Sequence, residues 1–159
     1  GVRGAGARGG REETRGSDTG AKGEAGCAAG ARLASPGPGV AVGVWAYGLA
    51  DGPMRVSDRT GALPLSLAAH GRHGAFYAVT DQAAVRGALD LVILTRAQYD
   101  QALADDDENE PSRDVRIVAP GERGFVVVRV IAGLPSQRLA ANEAVRAVSC
   151  TTHAPADKS

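Results

Sequence analysis

Gly124-Phe125-Val126-Val127-Val128-Arg129-Val130-Ile131-Ala132-Gly133 is the stretch of the chain densest in β-branched residues. Side chains alternate along an extended strand, so Val126, Val128, Val130 and Ala132 share one face. Phe125, Val127, Arg129 and Ile131 share the other. The first face is wholly apolar and must be covered. The second carries a single charge, which predicts partial cover. The stretch therefore predicts a strand inside a packed sheet.

Upstream, residues 113–118 read as a further strand, and residues 120–124 turn it back into the valine-rich one as a hairpin. Downstream, Leu134-Pro135-Ser136 opens a helix with Ala141, Ala144, Val145 and Val148 on one face and Arg138, Asn142 and Arg146 on another. Residues 90–95 are apolar on both faces, as in a mid-sheet strand. Thr95 is placed to cap the helix that follows, which runs through Tyr99, Ala102 and Leu103. Asp81 is placed to cap a short helix holding Val85 and Leu89, which predicts a parallel β-α-β link between residues 80 and 90.

Nearer the N-terminus, Val40, Val42, Val44 and Ala46 alternate with Ala41, Gly43, Trp45 and Tyr47, the period of a strand. Asp51-Gly52 supplies a turn, and Met54 and Val56 suit a second strand paired with the first as a hairpin. Leu63, Leu65 and Leu67 predict a third strand, set at an edge by Pro64, which cannot donate to a ladder. Residues 75–80 form a fourth. The fold class this predicts is α+β: a mixed β-sheet of about six to seven short strands with two to three helices packed on it.

Three segments follow from composition. Residues 1–38 are rich in Gly, Ala and Arg and poor in large apolar side chains, so they read as a disordered arm. Residues 39–150 form a single domain, and residues 151–159 a flexible tail. Gly4-Ala5-Gly6-Ala7-Arg8-Gly9 spells a dinucleotide fingerprint but follows no strand, so it lacks the context that makes the spelling work. The Arg-Gly pairs of the arm offer the one route to nucleic acid, with few repeats and acidic residues interspersed.

The 18 basic residues equal the 18 acidic ones, so no overall field steers the chain to a polyanion. No run approaches the length needed to span a bilayer, and no apolar signal segment is visible, which favours a cytoplasmic setting and no membrane partner. Cys27 and Cys150 are too few for a disulfide framework and are expected as free thiols.

No motif assembles a catalytic constellation, and no cofactor or metal is expected. The leading functional expectation is a non-catalytic binding or assembly module, with a protein partner or self-association through a partly exposed sheet face. Trp45, Tyr47 and Arg129 are the residues expected on that face. The alternative is a small-anion-binding protein or enzyme at the junction of Thr95 and Arg96. A strand running into a helix aims free amides past its carboxyl end there. His70 and His73, spaced i, i+3 in a glycine-flanked loop, are candidate ligand-binding residues beside it.

Overall fold

The computed structural model describes residues 27–28, 37, 39–106 and 115–152. Among them, nine strands lie in two sheets. The larger is antiparallel throughout, with the two-residue β1 (Cys27–Ala28) beside β2 (Val40–Gly48), followed by β8 (Arg123–Ile131), β4 (Leu65–Gly71) and β5 (Gly74–Thr80). The smaller runs in the order β7 (Val115–Val118), β6 (Ala88–Leu94), β3 (Met54–Arg59), β9 (Ser149–Thr152). Its one parallel pair is β6 with β7, joined through α1 (Arg96–Asp105). A second helix, α2 (Arg138–Arg146), packs against β2 and β8.

The valine-rich strand is β8, and it stands in the middle of the larger sheet. Val126, Val128 and Val130 are buried on its inner side. Trp45, Leu67 and Ala69 from the same sheet join Met54, Val56, Leu91 and Ile93 from the smaller sheet and Ala141 and Val145 from α2 in one core. The two sheets therefore face each other, with α2 covering part of the same inner surface. Close approach of α2 explains a small residue in β2. A Cβ at Gly43 would stand 2.5 Å from Val145 Cγ1 and 2.7 Å from the Trp45 ring. Gly124 serves in the same way on β8, where a Cβ would collide with the His70 carbonyl oxygen and with the Tyr47 ring.

The α+β class holds, in two sheets with two α-helices. Several pairings differ from those predicted. β2 and β3 are consecutive but belong to opposite sheets, as do β7 and β8, so neither pair is a hairpin. The turns at 49–53 and 119–122 carry the chain across the core. β4 begins after Pro64 and lies inside the sheet between β8 and β5. Pro64 needs no donor there, and its carbonyl accepts from Ile131 N at 2.9 Å.

The expected helix after residue 80 is only a 3-10 turn over Asp81–Ala83, capped by the Thr80 hydroxyl. Positive φ at Arg86 (55°) and Gly87 (76°) forces a reversal where a helix would continue. Asp81 instead accepts from Leu65 N at 3.1 Å. The parallel β-α-β unit sits one step later, at β6-α1-β7. β6 is mid-sheet as expected, with Leu91, Val92, Ile93 and Leu94 all buried.

The segment 151–159 is not all tail, since Thr151 and Thr152 belong to β9, which pairs with β3. Nor is the expected arm wholly outside the fold, because Cys27–Ala28 adds β1 to the edge of β2. The remainder of 1–36, with the dinucleotide spelling and the Arg-Gly pairs, lies outside the described residues, as do most of the acidic run 105–110 and residues 153–159. Cys150 is not a free thiol. It is disulfide-bonded, with its Sγ 3.3 Å from Met54 Sδ. The other cysteine of the chain is Cys27, in β1, which lies beside β9 where the edges of the two sheets meet. Cysteine count excluded a framework but not a single bridge.

Candidate functional site

The strand registers define an outer face on the larger sheet, turned away from the core. Phe125, Val127, Arg129 and Ile131 of β8 stand opposite Ala46, Val44, Val42 and Val40 of β2. On the other side, Phe125, Val127 and Arg129 stand opposite His70, Ala68 and Ser66 of β4. No layer of described residues lies over this face. Phe125 and Ile131 are 38% and 40% exposed, and Arg129 is exposed, while Val42 and Val127 between them are shielded by their neighbours. His70 lies flat on Phe125, with ring centroids 4.8 Å apart and planes 3° from parallel.

Arg129 and His70 thus share one face. Trp45 and Tyr47 do not. They lie on the opposite side of β2, only 5% and 4% exposed, so their expected place on a partner surface is corrected. The alternation of β2 was legible, but not which side faced inward. Gly43, on that inner side, is small because α2 comes close. Burial also pushes the Tyr47 hydroxyl up to about 12, and its oxygen has no hydrogen-bond partner among the described residues.

At the other candidate junction, Thr95 closes a reciprocal capping box. Its hydroxyl accepts from Gln98 N at 3.1 Å, while its own amide donates to Gln98 Oε1 at 2.9 Å. Gln98 Nε2 then donates to the Leu49 carbonyl at 2.7 Å, tying α1 to the turn after β2. Arg96 is largely in solvent, 3.9 Å from Asp100 and 5.6 Å from the Tyr99 ring centroid, both on its own helix. His73 sits in the exposed turn between β4 and β5. His70 lies near the end of β4, whereas Thr95 caps α1 just after β6. Among the described residues, no group of three or more His, Cys, Asp or Glu is placed to hold a metal.

The outer face of the smaller sheet has a different character. Arg55 donates two hydrogen bonds to Asp90, at 2.9 and 3.0 Å, and Ser57 adds a third at 3.2 Å. Arg116 forks onto Asp106 at 2.8 and 2.9 Å and holds that carboxyl below its usual range.

One carboxylate lies in the interior. Asp58 is only 5% exposed, and its Oδ2 has no partner among the described residues. Burial raises its carboxyl from an ordinary 3.8 to about 6, opposed in part by the amide of Arg59. The folded state therefore keeps this proton over a range in which the unfolded chain has released it. Stability from this residue is greatest at or below pH 3.8, falls as the pH rises towards about 6, and is level above that. We expect Asp58→Asn to remove that slope, leaving the variant about 1–3 kcal/mol more stable relative to wild type at pH 7.5 than at pH 4. Urea unfolding of both proteins across this range checks it. Parallel pH profiles would refute it.

No known family model matches the chain, and no curated protein does. Among solved structures, the fold is similar to the VPA0106 protein from Vibrio parahaemolyticus, with a TM-score of 0.53 at 13% identity over 71% of this chain. The match spans 27% of that protein's chain, so it establishes a shared fold over part of a longer molecule. Among the described residues, no helix is long and apolar enough to cross a membrane.

Proposed function

We propose that this protein is a non-catalytic binding or assembly module that works through the outer face of its larger sheet. The observation carrying this reading is the exposure of Phe125 and Ile131 on a face where four strands lie side by side with no covering layer among the described residues. A contiguous apolar surface rimmed by polar groups is the usual mark of an interaction site. Aromatic and arginine side chains are enriched at the centres of such sites, and Phe125 and Arg129 occupy alternate positions of one strand.

The test uses the double variant Phe125→Lys, Ile131→Lys, in which both substitutions point away from the core. Its unfolding midpoint should stay near that of the wild type, since exposed positions tolerate change to within about 0.5 kcal/mol. Binding of the apolar dye ANS to the folded wild type, read by fluorescence, should drop by at least half in the variant. Equal dye binding by both folded proteins would count against this face.

A further inference from the structure

We infer that the partner of this face is a protein segment carrying carboxylates among apolar side chains, and that Arg129 receives one of them. This inference rests on the docking role proposed above and adds the chemistry of the occupant. It begins from how charge is distributed. The chain has as many acidic as basic residues, yet the outer positions of β2, β8, β4 and β5 hold no Asp or Glu. Arg129 stands between Val42 and Ser66, and Arg123 stands opposite Gly48 at the end of the same strand.

The contrast with the other sheet is direct. There, Arg55 and Arg116 each meet a carboxylate of this chain through a two-bonded fork. Arg129 has no such answer among the described residues.

Any partner that spans Phe125 and Ile131 must also cover the Arg129 guanidinium between them. A cation taken out of water without a counter-charge is strongly unfavourable, so a wholly apolar occupant is selected against. A carboxylate satisfies the guanidinium fork with two parallel hydrogen bonds, and the apolar surround strengthens them. A second copy docked through the same face would bring Arg129 no carboxylate, since the outer positions of these strands hold none. An anionic membrane is recognised by clusters of four or more cations, and this face has two arginines.

The probes are three synthetic amphipathic peptides with identical leucine and valine positions and Glu, Gln or Lys at every polar position. They are titrated into the isotope-labelled 159-residue protein and followed by amide chemical shifts. The Glu peptide should shift residues around Val44, Val127 and Arg129. It should bind at least about tenfold more tightly than the Gln or Lys peptide, with affinity falling as salt rises. Arg129→Glu should invert the order, so that the Lys peptide binds best. Arg129→Gln, which keeps the stem and loses the charge, should abolish discrimination.

If no peptide shifts this face, the docking role fails and the inference with it. If Glu and Gln peptides bind alike and Arg129→Glu changes nothing, docking stands and the acidic occupant is overturned. Sedimentation of the wild type as a dimer that Ile131→Lys returns to monomer would assign the face to a second copy. Preference for phosphatidylserine vesicles over the Glu peptide would assign it to a membrane. Either result overturns the inference.

Discussion

Truncating Trp45 to alanine is expected to cost about 3–5 kcal/mol, the range for removing a large aromatic side chain from a packed interior. The indole lies between the sheets, beside Gly43 and the Val145 methyl that α2 brings down on it. Its loss would leave a void bounded by both sheets and the helix, and three separate elements cannot all close on it. A residue on a partner-facing surface would respond differently, with a change within about 0.5 kcal/mol. Chemical denaturation with tryptophan-independent detection distinguishes the two. A midpoint unmoved by Trp45→Ala would mean that β2 presents its aromatic side to solvent, and that the inner and outer faces are assigned the wrong way round.

Reduction of the Cys150 disulfide should give the next largest effect, a loss of about 2–5 kcal/mol. β9 is short and polar, and it is held to the smaller sheet only along β3. A covalent bond at this edge restricts the unfolded chain and keeps the strand registered. Guanidinium unfolding with and without a phosphine reductant measures the loss, and Cys150→Ser should reproduce it without reductant. Two reactive thiols in the untreated folded protein, or coincident unfolding curves, would contradict the bond.

What the sequence discloses here is local. The burial of Val126, Val128 and Val130, the cap at Thr95, the two-sided burial of β6 and the inward stripe of α2 all follow from spacing within a few residues. What it conceals depends on contacts between distant segments. Asp51-Gly52 announces a reversal, but whether the returning strand pairs with β2 or crosses to another sheet depends on partners far along the chain. The aromatic side of β2 looked like the open one because the helix that keeps Gly43 small is nearly a hundred positions away. β9 carries almost no apolar signal in Ser149, Thr151 and Thr152, so only its pairing with Met54 and Val56 reveals it. The outer face of the larger sheet was half legible. Arg129, Val127 and Ile131 fall on it by alternation, but His70 and Phe125 became neighbours only through the β4-β8 register.

The place of β8 between β2 and β4 has a consequence for biosynthesis. Both of its neighbours leave the ribosome long before it does, and neither pairs with the other. Until residues 123–131 emerge, β2 and β4 each lack one neighbour, and Val42, Val44, Leu65 and Leu67 are left without the strand that separates them in the finished sheet. Nascent chains halted before that point are exposed to aggregation and are natural clients for chaperones.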